Sequence, residues 1–350
     1  MSRLKILLVV TVAAGLVLGG CSAAATPAPA ATGAPAAVAT APGAATPTAG
    51  ALTPVTVAMG FVPNVQFAPF YVAISKGYFA DEGLDVTLDY GMENDIVQLV
   101  GTNKLQFAVA SGDQILLARA KGLPVVYVAT WYKRFPTALA SLTLDLSNPK
   151  NVEGHTVGLP GLFGANYVGW LALAQAAGID QDKVKLESIG FNQVPVLVEK
   201  RVDAIVVYAN NEPLQLEAQG YKDVSVADVS KYIDLVANGL ITNEATIQEQ
   251  PELVQGVVRG FLRGLQETID HPDEAFDLVV AQYVPEAGGE NAALQRRVLA
   301  KTIEYWRANP LGRSDPAAWQ TSHDFMRKAG LLDQDVDVAK VFTNRFVEAQ

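Results

Sequence analysis

The chain has 350 residues, half of them hydrophobic, with 26 basic against 36 acidic side chains and a formal net charge of −10. That balance argues against a nucleic-acid surface and against electrostatic adhesion to anionic lipid. One cysteine in the whole chain excludes an internal disulfide and thiolate metal clusters.

Residues 1–20 read as an export leader. Arg3 and Lys5 precede an apolar run from Ile6 to Leu18, too short to span a hydrocarbon core of about 30 Å comfortably, and the small pair Gly19-Gly20 follows. Leu18-Gly19-Gly20-Cys21 resembles a bacterial lipobox, so Cys21 is the expected lipidation site and the first residue of the mature chain. Two acyl chains on that thiol would hold the protein to a membrane. Removing the leader takes away two bases and no acid, leaving 24 basic against 36 acidic residues and a net charge of −12. Residues 21–51, built almost wholly of Ala, Thr, Pro and Gly, cannot bury enough surface to offset their ordering entropy and read as a disordered tether. The remainder exceeds the usual single-domain size, which predicts two lobes.

Strands and helices then alternate. Val55 to Phe61 reads as a buried strand, Pro69 to Lys76 as a helix stopped by Gly77, and Asp85 to Tyr90 as an alternating strand. A short helix over Asp95 to Val100, a strand over Phe107 to Ser111, a helix over Gln114 to Lys121 and a strand over Pro124 to Trp131 complete the first set. The second set has strands at His155 to Leu159, Val184 to Ile189 and Ala204 to Tyr208, with helices at Phe163 to Ala177 and Val194 to Lys200. After Leu235 to Thr242 the chain reads as helical: Pro251 to Ile269, Pro272 to Gln282, Ala292 to Arg307 and Pro316 to Lys328. This order predicts an α/β fold in which each lobe is a mostly parallel sheet flanked by helices. Lobe 1 comprises residues 52–138 and 238–350 and lobe 2 residues 139–237, with hinges at Phe135 to Leu142 and Leu235 to Leu240.

Both sets end an apolar strand in polar residues: Ser111-Gly112-Asp113-Gln114 in the first, Ala209-Asn210-Asn211-Glu212 in the second. Ligands of open α/β sheets sit at that edge, so two such edges face to face predict a cleft between the lobes. Asp113 and Asn211 are equally suited to capping the helices that follow.

Three stretches carry a family resemblance: VAMGFVPNVQFAPFYVAISKGYFADEGLDVTLDYG, VASGDQILLARAKGLPVVYVATW and EKRVDAIVVYANNEP. They resemble the substrate-binding proteins of ABC importers, in the group that includes thiamine-pyrimidine precursor, riboflavin and alkylsulfonate binders. The likeness runs over residues 53–270, and Arg201 replaces a glycine that often precedes the VDA element. The resemblance implies a two-lobed, periplasmic-binding-protein-like type II fold that closes on a solute and docks on a permease with its ATPase. The leader and Cys21 place the expected protein on the extracytoplasmic face of the cell membrane, anchored there by lipid, and a monomer with no cofactor and no metal is expected.

Ligand-binding candidates are Asn64, Gln66, Phe67 and Tyr71 from the first loop and helix, Asp113 and Gln114 from the third strand end, and Trp131 and Tyr132 from the fourth. The second lobe offers Phe163, Asn166, Tyr167, Asn192, Tyr208, Asn210 and Glu212. Aromatic faces with amides and carboxylates suit a flat heterocycle, whereas a sulfonate calls for Arg or a cluster of amides. Lys133 and Arg134 are the nearest bases in the sequence. Riboflavin is therefore the first expectation, a formylaminopyrimidine or hydroxymethylpyrimidine thiamine precursor the second and an alkylsulfonate the third. Each aromatic is equally suited to plain core packing. The chain lacks a nucleophile elbow, a P-loop and an H-E-x-x-H pair, and Gly158, Gly161 and Gly164 have the wrong spacing for a dinucleotide loop. Relatives by fold that synthesise the thiamine pyrimidine use a cysteine-rich iron site, as the resemblance implies; this sequence lacks those cysteines, which favours binding over catalysis.

Overall fold

The computed structural model describes residues 51–348. The expected leader, Cys21 and the tether up to Gly50 lie outside them.

The first run comprises β1 (Thr53–Met59), α1 (Ala68–Ser75), β2 (Leu84–Tyr90), α2 (Glu93–Gly101), β3 (Phe107–Ser111), α3 (Gly112–Ala120) and β4 (Val125–Thr130). The chain then crosses to β5 (Thr137–Ser141), β6 (Thr156–Leu159), α4 (Gly164–Ala177), β7 (Lys185–Ser188), α5 (Gln193–Val198), β8 (Ala204–Tyr208), α6 (Glu212–Ala218) and β9 (Ser225–Asp228). It returns as β10 (Asn238–Asn243) and continues through α7 (Glu244–Glu249), α8 (Pro251–Asp270), α9 (Pro272–Gln282), α10 (Ala292–Trp306), α11 (Pro316–Lys328) and α12 (Arg345–Glu348).

Two five-stranded sheets result, ordered β2-β1-β3-β10-β4 and β7-β6-β8-β5-β9. Within the first, β1 runs parallel to β2 and β3, whereas β10 lies antiparallel between β3 and β4. In the second, β6 is parallel to β7 and β8, whereas β5 is antiparallel to β8 and β9. The expected mostly parallel sheets are therefore mixed, and the strand that each crossing delivers is the one that runs against its neighbours. Thr137 to Ser141, expected as hinge, is a buried strand of the second sheet, and Ser225 to Asp228 adds an edge strand that its polar surroundings conceal.

Strands β3, β4 and β5 are buried along their whole length, which explains their runs FAVAS, VVYVAT and TALAS: both sheet faces are covered. The C-terminal helices close the first lobe. Helix α8 packs along α1 at the close approach that Gly264 permits, where a Cβ would stand 2.1 Å from the Pro69 carbonyl oxygen. The edge of β4 is covered by the last segment: Tyr127 N–H donates to Val341 O, Thr343 N–H to Tyr127 O, both at 2.9 Å, and Trp319 stacks on Phe342. No helix among the described residues is long and apolar enough to cross a membrane.

Helix α10 touches both sheets' territory. Thr302 Oγ1 accepts from Asn210 Nδ2 at 2.7 Å, Tyr305 Oη donates to Asp228 Oδ2 at 2.7 Å, and Arg297 pairs with Glu217.

Candidate functional site

The carboxyl ends of β1, β2, β3 and β4 and those of β6, β7 and β8 meet around a cavity of about 530 Å3. Its floor is aromatic. Phe67, on the 3-10 turn Val65–Phe67, lies with its ring centroid 6.2 Å from Tyr90 and 5.8 Å from Trp131, and Trp131 meets Tyr132 edge-on at 5.1 Å. Trp306 of α10 supports that floor from behind, 5.7 Å from Trp131. The main-chain N–H groups of Trp131 and Tyr132 both donate to Asn238 O, at 3.1 and 2.9 Å, tying the first crossing segment to the second.

The mouth is apolar and aromatic. Phe61 follows β1, Phe191 follows β7, and their rings meet edge to face at 5.3 Å across the two lobes. Phe163 and Met92 stand beside them, exposed on the rim of the same cavity.

Charge in the cavity is entirely acidic: Glu93 and Glu212 line it, and no Lys, Arg or His is among its described lining residues. Glu212 accepts from the Tyr208 N–H at 2.8 Å and from Asn211 Nδ2 at 3.3 Å, yet burial pushes its carboxyl up to about 7. Glu93 Oε1 accepts from both the N–H and the hydroxyl of Ser111 at 2.6 Å; burial and the neighbouring Asp113 raise its carboxyl to about 7. Burial likewise holds the Tyr208 hydroxyl well above the ordinary phenol range, with the Glu93, Tyr132 and Asp113 charges adding to it. Three buried polar atoms of lining residues have no protein partner: Trp131 Nε1, Asn166 Oδ1 and Asn238 Oδ1. A buried polar atom without a partner is costly, so the wall of the cavity carries one donor and two acceptors whose hydrogen-bonding capacity the protein leaves unused.

Of the sequence candidates, Asn64, Gln66, Phe67, Trp131, Tyr132, Phe163, Asn166, Tyr208 and Glu212 line this cavity. Asn64 also caps the turn that follows, accepting from Gln66 N–H at 2.8 Å. The other candidates lie elsewhere. Tyr71 is fully buried in α1, stacked on Tyr283 with its hydroxyl 2.9 Å from that of Tyr90. Asp113 and Gln114 are buried behind Glu93 and bonded to each other at 2.8 Å. Tyr167 packs half-buried against the core, and Asn210 is spent on Thr302. Asn192 points away to a polar depression of about 470 Å3 bordered by Glu187, Glu199 and Arg201. The two bases near the fourth strand also turn elsewhere: Lys133 pairs with Asp315 at 3.9 Å, and Arg134 lies over the Tyr305 ring at 4.3 Å.

Sequence reasoning missed Phe61, Tyr90, Glu93, Phe191, Gln193 and Asn238, all of which line the cavity. The first four follow or end strands β1, β2 and β7, so the rule that ligands sit beyond carboxyl ends, applied to every strand, would have found them. Asn238 begins an antiparallel strand and carried no such signal. Among the described residues, no group of three His, Cys, Asp or Glu side chains is placed to hold a metal.

Residues 64–275 match the NMT1/THI5-like family. The chain is 42% identical over 95% of both chains to a protein of Chloroflexus aurantiacus named riboflavin-binding protein RibY. It is 30% identical to a formylaminopyrimidine-binding protein of Halalkalibacterium halodurans, over 84% of this chain and 91% of that one. A relative from Legionella pneumophila, 26% identical over 84% of this chain and 92% of its own, is named a 4-amino-5-hydroxymethyl-2-methylpyrimidine phosphate synthase. Among solved structures, the periplasmic aliphatic sulphonate binding protein SsuA of Escherichia coli shares the fold, with a TM-score of 0.65 and 13% identity over 82% of this chain and 91% of that one. The extent of the family match and the near full-length likeness to RibY establish that the chain belongs to the NMT1/THI5-like family.

Proposed function

We propose that this protein is the substrate-binding component of an importer and captures a flat heterocycle, riboflavin, by closing its two lobes around it. The observation that carries the reading is the cavity's chemistry: aromatic rings on floor and rim, two protonatable carboxyls, unpartnered amide and indole atoms, and no base. Rings offer stacking faces to a fused aromatic system, while the amides and acids match ring N–H, N and C=O groups. A sulfonate or nitrate carries a full negative charge that calls for a cationic partner, and the described lining offers amides and acids but no Lys, Arg or His. The relative named for riboflavin matches nearly the whole chain.

A thiamine pyrimidine precursor is the second reading, favoured by the 30% identical relative and by acids suited to an amino group. Binding rather than synthesis is favoured because the cavity holds no nucleophile-base pair and no thiolate. The partners of this reading are a permease and its ATPase. The closed form is the one they recognise, presented by a monomer tethered through acylated Cys21 on the outer side of the membrane.

The test is titration of the purified full chain with riboflavin, followed by quenching of flavin fluorescence, with the formylaminopyrimidine as competitor. Saturable quenching at one flavin per chain is expected. Absence of binding by riboflavin, pyrimidine precursors and thiamine alike would overturn the heterocycle reading.

A further inference from the structure

We propose that Glu93 and Glu212 set the cleft's specificity by refusing phosphorylated rings, so that the ligand is the free alcohol and not its phosphate ester. The inference rests on the reading that the cleft holds a flavin or pyrimidine ring, and it names the chemical form in which that ring is taken.

The two acids come from different sheets. Glu93 opens α2 beyond β2, Glu212 opens α6 beyond β8, and both line the cavity. Each is held in place by hydrogen bonds. Ser111 donates its N–H and its hydroxyl to Glu93 Oε1 at 2.6 Å, Tyr208 N–H donates to Glu212 Oε2 at 2.8 Å, and Asn211 Nδ2 donates to Glu212 Oε1 at 3.3 Å. A sphere of the cavity's volume, about 530 Å3, is about 10 Å across, so a phosphoryl group anywhere inside lies within about one Debye length of both carboxyls. Walls that exclude solvent weaken the screening further.

Nothing in the cavity offsets those charges. The described lining holds no Lys, Arg or His. The bases nearest in sequence are engaged elsewhere, Lys133 with Asp315 at 3.9 Å and Arg134 with the Tyr305 ring and with Glu304 O at 2.9 Å. Helix starts are the other usual anion sites, but at α2 and α6 the first turn already carries the acid itself. Helix α4 does bring Gly164, Ala165 and Asn166 to the wall with neither an acid nor a side-chain cap in its first turn. Its start presents a partial charge of about +0.5, against two full negative charges on the carboxylates. The unused side-chain acceptors Asn166 Oδ1 and Asn238 Oδ1 turn lone pairs, not protons, to a phosphate oxygen. At the mouth Phe61, Val62, Met92, Phe163 and Phe191 are exposed and apolar, and their side chains offer neither charge nor donor.

The refusal places the protein in a reaction sequence. Where the ring compound outside the cell is a phosphate ester, a hydrolase must act before capture, adding water across the P–O bond and releasing the alcohol and inorganic phosphate.

The experiment is titration of the full chain, read by quenching of flavin fluorescence, at about pH 8, where carboxyls raised to about 7 are largely ionised. The ligands are riboflavin, riboflavin phosphate and the neutral acetate ester of the same hydroxyl; where the pyrimidine is the ring bound, hydroxymethylpyrimidine, its phosphate and its acetate are compared by calorimetry. The phosphate should bind at least about tenfold more weakly than the alcohol, and the acetate within about threefold of it. Glu93→Gln and Glu212→Gln should each narrow the phosphate-to-alcohol ratio of dissociation constants several-fold, a ratio that cancels any lost contact with the ring itself. Should a Gln variant fail to fold, as read by its melting curve, Met92→Lys at the half-exposed rim supplies a cation instead and should narrow the same ratio. Equal affinity of the parent for alcohol and phosphate overturns the inference and leaves the reading of the cleft standing. So does an acetate refused as strongly as the phosphate, which would mean exclusion by size, or a ratio unmoved in the folded variants. A parent that binds no ring compound in any form overturns the reading of the cleft and this inference with it.

Discussion

The edge-to-face pair of Phe61 and Phe191 is the direct contact between the lobes at the cavity mouth, and its removal has a calculable effect. The rings are 40% and 58% exposed, so truncating either leaves little cavity in the core. Their centroids lie 5.3 Å apart with planes at 66°, a geometry worth about 0.5–1.5 kcal/mol beyond area burial. If the pair forms only when the lobes meet, that energy belongs to the closed form, and losing it weakens apparent affinity by about twofold to tenfold. Phe61→Ala, Phe191→Ala and the double variant would be titrated with riboflavin by fluorescence quenching. Each single change should cost about that factor, and the second change should cost distinctly less once the first is made. Melting temperatures should stay within a few degrees of the parent. Strictly additive losses would mean that each ring acts on the ligand alone, and unchanged affinities would mean that the pair does nothing for closure; either refutes the reasoning.

Two further changes separate support from recognition. Gly264→Ala would place a methyl 2.1 Å from Pro69 O and 2.7 Å from Ala73 Cβ, forcing α8 off α1; overpacking of this kind costs about 1–3 kcal/mol, seen as a fall of several degrees in the melting midpoint with riboflavin affinity unchanged well below it. Asn210→Ala removes a fully buried amide that donates to Thr302 at 2.7 Å; a stability loss of about 1–3 kcal/mol in denaturant unfolding is expected, and a tenfold loss of flavin affinity at unchanged stability would show that Asn210 touches the ligand instead.

The legible parts of the fold were those in which burial is symmetrical. The runs of β3, β4 and β8 are apolar because helices cover both faces, and no tertiary knowledge is needed to see them. The four-residue β9, set in polar chain, and the placing of β10 between β3 and β4 depend on pairings distant in sequence, which periodicity does not encode. At the site the errors are of single residues. Asn211 lines the cavity while Asn210 faces α10, and Gln193 lines it while Asn192 faces outward. Adjacent positions leave a strand end in different directions, so composition finds the right segment and only geometry selects the residue. Tyr71 belongs to the helix that borders the loop, but α1 is buried on nearly every side, and it is Tyr90, its hydroxyl partner, that reaches the cavity.

The tie of Trp131 and Tyr132 to Asn238 O joins the chain's outward and return passages between the lobes at one carbonyl. The tie extends the pairing of β4 with β10, and from it the outward passage runs through residues 133–136 into β5 while the return passage enters β10 directly. The same two aromatic residues form the floor on which a ligand would rest. The crossing between the sheets and the floor of the cavity are thus one piece of chain. A substitution at Trp131 or Tyr132 therefore alters the binding surface and the join between the sheets in one stroke, whereas one at the Phe61–Phe191 rim alters the mouth alone.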